Sequence, residues 1–158
     1  MGERIDYLDD PAAPKATSVV PSANVIVVNK QGEILMIRRT DNNNWAVPGG
    51  GMDLGESITH AAVRETQEET GITCEITGLV GIYTNPRHVI RYTSNGEVRQ
   101  EFSIVFAARP VGGELRPSSE SAEPQWVSPT AVPSLQMHPS MRQRIQHYLD
   151  KRPEPYLG

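Results

Sequence analysis

Between Gly50 and Ile72 the chain reads GGMDLGESITHAAVRETQEETGI, and this run constrains the fold more than any other. From Glu56 to Thr70 it is rich in Ala, Glu, Gln and Arg and holds neither Pro nor Gly, which predicts a helix. Gly71 supplies its stop signal. Residues three and four apart share a helix face. Glu65, Glu68 and Glu69 therefore project the same general way, within about 100° of arc. Ile58, Ala62, Glu65 and Glu69 fall along one stripe, so the apolar stripe runs into the acids. A merely solvated acidic face would lie opposite the apolar stripe.

Carboxylates this crowded raise one another's pKa, and a bound divalent cation removes the conflict. Oxygen ligands favour Mg²⁺, Mn²⁺ or Ca²⁺ over thiophilic metals, and Mg²⁺ takes only one or two carboxylates plus waters and phosphates. Pro48-Gly49-Gly50-Gly51 lets backbone come close to a metal or a phosphate, because glycine adds no Cβ. Arg64 is placed to orient one of the glutamates by an ion pair. An RETQEE string alone would read as a solvated helix. The glycine loop at this spacing turns it into a candidate site.

The same segment resembles the Nudix box, G-x5-E-x7-R-E-U-x-E-E-x-G-U, with U an apolar residue. Gly50, Glu56, Arg64, Glu65, Glu68, Glu69, Gly71 and Ile72 fall on its positions, and Thr66 departs from it where an aliphatic residue is preferred. The run Ile34 to Arg39, the Trp45 to Gly50 lead-in and Gln125-Trp126-Val127 are also similar to Nudix proteins, so the resemblance covers about residues 22–150. It implies an α/β fold, an α/β/α sandwich around a mixed sheet. It also implies Mg²⁺-dependent hydrolysis of a nucleoside diphosphate linked to another group. By the same resemblance Glu65, Glu68 and Glu69 would be metal ligands, with the Gly50 carbonyl a further one. Glu56 would sit behind them or pair with Arg64. Family members often recruit a catalytic glutamate from beyond the box, and Glu120, just before Trp126, resembles that position. The general base is then Glu65, Glu69 or Glu120.

Length and composition bound the rest. A chain of 158 residues suffices for one domain with a real core. A net charge of −4 argues against broad nucleic-acid binding and leaves room for a small anionic substrate escorted by metal. The single Cys74 excludes an intramolecular disulfide and reads as a core residue. No stretch approaches the roughly 18 apolar residues of a membrane span. Met1 to Asp10 is polar and acidic, unlike a secretory leader, so the cytoplasm is the expected compartment.

Along the chain, residues 1–21 carry three prolines and read as an arm, 22–150 as the domain and 151–158 as a tail. Asn24–Asn29 and Glu33–Arg39 read as the strands of a hairpin. Thr73 to Tyr83 is a long strand with possible breaks at Gly78 or Gly81. Asn95-Gly96 is a hairpin turn, and Val98 to Ala108 a strand. Met141, Ile145, Tyr148 and Leu149 mark a second amphipathic helix opened by Pro139-Ser140. The Pro-rich arm and the apolar-tipped tail need a surface, which suggests a homodimer.

Outside the box, the candidate substrate-binding residues are Arg38, Tyr83, Arg87 and Arg99. Arginine meets phosphate with two parallel donors, and aromatic faces stack bases. Glu101 is a second distant carboxylate. His60, His138 and His147 read as surface residues. The expected substrate is a nucleotide sugar such as ADP-ribose, or a nucleoside triphosphate. Mn²⁺ could replace Mg²⁺. The alternative is a nucleotide-sensing Nudix domain without catalysis, usually marked by a lost box glutamate and an appended DNA-binding domain.

Overall fold

A computed structural model of the protein describes residues 2–119, 121 and 123–158. Strands β1 (Arg4–Leu8), β2 (Ser18–Val19), β3 (Ser22–Val27), β4 (Ile34–Arg38), β5 (Trp45–Ala46) and β6 (Gly49–Gly51) precede helix α1 (Ile58–Thr70). After it come β7 (Ile72–Tyr83), β8 (His88–Tyr92), β9 (Val98–Gln100), β10 (Ser103–Gly113) and β11 (Gln125–Val127), then helix α2 (Pro139–Leu149) and β12 (Tyr156–Leu157).

The central sheet has the order β12-β7-β10-β3-β6. It is mixed, because β10 runs parallel to β3 and antiparallel to β7. Successive side chains of β3 point to opposite faces, as any strand requires. Ala23, Val25 and Val27 join Ala62 of α1, Ile72, Cys74 and Phe106 in one core. Ile26 instead joins Val105, Tyr83 and Ile145 of α2 in a second core. The two helices therefore cover opposite faces of the sheet, which is an α/β/α arrangement. Two smaller sheets, β1-β8-β9-β2 and β11-β4-β5, complete the molecule.

Helix α1 begins and ends on local chemistry. The Ser57 side chain caps the amide of His60 at 3.1 Å. Gly71 closes the helix at φ +82°, the left-handed conformation that favours glycine. Thr66, the departure from the motif, is fully buried, and its hydroxyl donates to the Ala62 carbonyl at 2.8 Å. The polar atom is thereby satisfied inside the helix, and its methyl occupies the apolar position.

The expected hairpin of β3 and β4 survives only as one bridge, Val28 to Ile34. Beyond it the strands separate into different sheets. The edges of β3 are taken by β10 and β6, while β4 pairs with β5 and β11. The expected strand from Val98 to Ala108 breaks at Glu101 and Phe102. There the Glu101 amide donates to His88 of one sheet and the Phe102 carbonyl accepts from Ser22 of the other. The break hands the chain from sheet to sheet. In contrast, β7 continues as one strand through Gly78 and Gly81, although its pairing with β10 shifts register beside each of these glycines.

Both chain ends pack within the molecule. Strand β1 pairs antiparallel with β8 over five residues, and β12 pairs with β7 through Tyr156 and Leu157. The need for a surface, which suggested a homodimer, is met inside one chain. No described helix is long and apolar enough to cross a membrane.

Candidate active site

One cleft of about 340 Å³ brings the glycine strand, α1 and the β1–β8–β9 sheet together. One wall is β6 with Glu69. Gly49, Gly50 and Gly51 pair with Asn24, Ala23 and Ser22 of β3, which turns the rest of the glycine backbone toward α1. A Cβ built on Gly50 would lie 2.5 Å from the Glu65 carboxyl carbon. Only glycine allows the backbone this close to that carboxylate. Glu69 is 5% exposed and accepts from the Gly49 amide at 3.2 Å. Glu68 is on the open side, with its side chain 55% exposed.

Arg64 organises these acids. Its guanidinium lies 2.6 Å from Glu56, 2.9 Å from Glu65 and 3.2 Å from Glu68, and it donates to the Gly51 carbonyl. The Arg64 bond and the Asp53 amide hold the Glu56 carboxyl down at about 2. Glu56 and Arg64 are therefore joined as a structural pair. The donors gathered here are all oxygens: Glu69 and the Gly50 backbone line the cleft, Glu65 lies against Gly50, and Arg64 joins Glu65 to Glu68. That set fits a hard divalent cation.

The opposite wall comes from the expected arm and from β8, β9 and the end of β4. Arg4, Arg39 and Arg99 all line the cleft. Tyr92 lines it too, with the Arg99 guanidinium 4.8 Å from its ring centre. At the floor, Asp6 lies 2.8 Å from the Nε2 atom of His88 and is paired with Arg4. Burial opposes its ionisation, but His88 and Arg4 outweigh it and hold the carboxyl well below its usual range. Glu101 is 4% exposed. It accepts from Ser103 at 2.6 Å and lies 3.5 Å from both Arg144 and His88. Burial again opposes the charge, yet Arg144, Ser103 and His88 keep its carboxyl below the ordinary value. The Arg144 Nε is buried without a partner among the described residues.

Asp6, His88 and His138 have nitrogen and oxygen atoms within 4.8 Å of one another. The two imidazoles lie stacked, 5.2 Å apart and 17° from parallel. Lone pairs in the planes of parallel rings do not converge on one point. His138 also caps α2, its Nδ1 taking the Ser140 amide. The group braces three elements, with Asp6 of β1 hydrogen-bonded to His88 of β8 and His138 stacked on His88 at the start of α2.

The structure thus sorts the sequence candidates. Gly50, Glu65, Glu68 and Glu69 come together, with Glu56 and Arg64 behind them. Arg99 lines the cleft. Arg38 does not: strand alternation sends it outward to Glu123 at 2.9 Å and Asn43 at 2.8 Å, while Ile37 and Arg39 face in. Arg87 is 79% exposed beside Asp9 and lies outside the cleft. Tyr83 is buried in the α2 core, its hydroxyl 2.7 Å from His147 and its ring stacked on Tyr156. Glu120 lies outside the described residues. Sequence reasoning missed Arg4, Asp6 and Arg39, took His138 for a surface residue, and placed His88 only within the basic-aromatic stretch from Tyr83 to Arg99, whereas it is buried against Asp6. One signal was available for two of them. Arg4 and Asp6, two apart in β1, share a face.

Comparison with known proteins adds independent findings. A family model described as the NUDIX domain matches residues 19–148. A MutT-like protein of Streptomyces ambofaciens is 40% identical over 107 residues, covering 68% of this chain and 62% of that one. A putative 8-oxo-dGTP diphosphatase of Bacillus subtilis is 34% identical over 126 residues, covering 80% and 77%. An ADP-ribose pyrophosphatase of Methanocaldococcus jannaschii is 34% identical over 112 residues, covering 69% and 62%. The chain spans less than two thirds of the length of the first and third. The crystal structure of a NUDIX hydrolase from Nitrosomonas europaea superposes with a TM-score of 0.72 at 21% identity, covering 90% of this chain and 78% of that one.

Proposed function

This chain belongs to the NUDIX domain family, and from that premise we propose that it hydrolyses a pyrophosphate bond in a nucleoside diphosphate linked to another group. The observation that carries this reading is the closeness of the Gly50 backbone to the Glu65 carboxylate, beside a buried Glu69, in the wall of one cleft. A solvated acidic helix would need neither the bare backbone nor the burial.

Glu65, Glu68, Glu69 and the Gly50 carbonyl would hold Mg²⁺, with Mn²⁺ as the substitute. A bound divalent ion supplies charge neutralisation at phosphate oxygens and lowers the pKa of a water. The chain's own part is to place its groups. Arg64 fixes Glu65 and Glu68 by ion pairs, so their carboxylates lose little freedom when they bind. Glu69, Glu65 or Glu120 accepts the proton of the attacking water. That water forms the new bond to phosphorus, and the bond from phosphorus to the bridging oxygen breaks. The remaining phosphate leaves with the bridging oxygen. The presence of every box glutamate favours this reading over a nucleotide-sensing domain without catalysis.

The 8-oxo-dGTP diphosphatase and ADP-ribose pyrophosphatase among the similar proteins suggest nucleoside triphosphates and nucleotide sugars as the first substrates to try. The test is a hydrolysis screen over both classes with Mg²⁺, repeated with excess chelator and with Glu69→Gln. Turnover that needs the metal and falls by orders of magnitude in Glu69→Gln, with melting unchanged, supports the proposal. Parent-level turnover in the variant would overturn the assignment of Glu69.

A further inference from the structure

We propose that Arg4, Arg39 and Arg99 form an anion-reading wall that holds a phosphate group of the substrate other than the one at the glycine strand. The inference rests on the pyrophosphatase reading and adds the residues that select the substrate. Its key member, Arg4, lies in a strand outside the residues 19–148 that match the family model.

The three arginines share one geometry. Arg4 bonds Asp6 through Nε at 2.8 Å and Nη2 at 3.1 Å. Arg39 bonds Asp41 through the same two atoms at 3.0 and 2.9 Å. Arg99 bonds Glu97 likewise at 2.6 and 3.0 Å. Each carboxylate sits two residues away in sequence and occupies one side of the fork. The Nη1 ends make no hydrogen bond among the described residues. Every guanidinium is therefore fixed in its plane and keeps an edge that matches a phosphate with two parallel N–H donors.

Their placement converges. Strand pairing sets Arg4 opposite Tyr92, whose ring carries Arg99. The Arg4 amide donates to Asp41, the partner of Arg39, at 3.3 Å. Arg4 thus links the other two. Arg99 Nη1 would lie 3.9 Å from a Cβ on Gly51, so the wall comes within reach of the glycine strand. A ligand spanning the cleft meets Glu69 and the glycine backbone on one side and the three arginines on the other. A pyrophosphate group has a phosphate for each.

Each arginine is already neutralised by its own acid. The wall is not a standing positive patch, and its attraction is short-ranged and directional. A lysine point charge cannot reproduce it.

The experiment is titration calorimetry of inorganic pyrophosphate into the intact chain at low ionic strength with chelator present. Binding in the parent is expected, with loss of about tenfold in affinity for Arg4→Gln and for Arg39→Gln. Arg4→Lys should not restore it, and Arg109→Gln, exposed and far from the cleft, should bind as the parent does. Thermal melting of each variant separates lost binding from lost folding, and Arg39→Gln tests the wall from a different element than β1. No binding in the parent, parent-like binding in Arg4→Gln, or full rescue by Arg4→Lys would overturn the proposal. Since the titration requires no turnover, a failed hydrolysis screen with intact pyrophosphate binding would refute the enzymatic reading and leave the wall standing.

Discussion

Replacing Gly50 with alanine should damage catalysis while sparing the fold. A Cβ at this position would lie 2.5 Å from the Glu65 carboxyl carbon and 2.6 and 2.8 Å from its oxygens. An ordinary contact begins near 3.4 Å, so the carboxylate must retreat by about 0.9 Å. The obstacle is the far end of a flexible side chain, and Gly50 is not among the positive-φ glycines, so the backbone accepts alanine without strain. The retreat does pull Glu65 from its 2.9 Å bond to Arg64. Misplacing a reacting group by about 1 Å can cost ~10²-fold in rate. The expected outcome is a loss of ~10²-fold in turnover with Mg²⁺ and a melting temperature within a few degrees of the parent. Gly49→Ala is the contrast. Its Cβ would meet the Ala23 carbonyl oxygen and the Asn24 backbone, which cannot move aside. That variant should lose stability first. Turnover within threefold of the parent for Gly50→Ala, at unchanged melting, would refute the closeness of backbone and carboxylate as the basis of activity.

Three further outcomes follow from buried groups. Arg144→Met leaves Glu101 buried without its arginine, a loss that costs about 3–5 kcal/mol, and calorimetry should show melting lowered by about 6–20 °C; adding Glu101→Gln should recover part of it. Thr66→Val removes a hydroxyl that doubles a helix bond and makes a weak contact with the Cys74 thiol, so denaturant unfolding should show stability within about 1 kcal/mol of the parent, and a larger loss would refute this account of the hydroxyl. Asp6 and Glu101 both titrate below their ordinary values in the fold, so the unfolded chain binds more protons than the native one as pH falls. Their contribution is full above the unfolded carboxylate range, near pH 4, and is lost as pH falls through the folded values. His138, pushed down by burial, acts in the same direction below about pH 6.5. Melting temperature should therefore decline from pH 7 toward pH 4 and below, and Asp6→Asn should flatten the most acid part of that decline.

What the sequence made legible was local. Helix α1, its glycine stop, the convergence of Glu65, Glu68 and Glu69, and the Glu56–Arg64 pair all follow from spacings within 23 residues. The α/β/α arrangement was legible only through the family resemblance. What escaped was set by long-range pairing. Arg4 and Tyr92 are 88 positions apart and meet only because β1 pairs with β8. The choice between Arg38 and Arg39 turned on which face of β4 looks inward, and the apolar neighbours on both sides gave no alternation to read. Tyr83 looked like a stacking residue because it sits among basic and polar residues in sequence, yet its strand carries it into the core against α2.

The two walls of the cleft handle charge in opposite ways, and the contrast has a physical consequence. Near the glycine strand, Glu56, Glu65 and Glu68 gather around the single guanidinium of Arg64, and Glu69 takes the Gly49 amide beside them. Across from it, Arg4, Arg39 and Arg99 each have one acid of their own. The box side therefore carries excess negative charge, and the far side is close to neutral but rich in donors. A bare pyrophosphate entering the cleft is repelled on one side and only hydrogen-bonded on the other. A divalent cation at the glutamates would remove the repulsion, so cation and substrate would each raise the other's affinity by the same factor. The far wall needs no such help, because its acids hold the arginines in place without blocking their outer edges. On the proposed reading the box would cut the bond, and the pairing of β1 with β8 would select the molecule held for cutting.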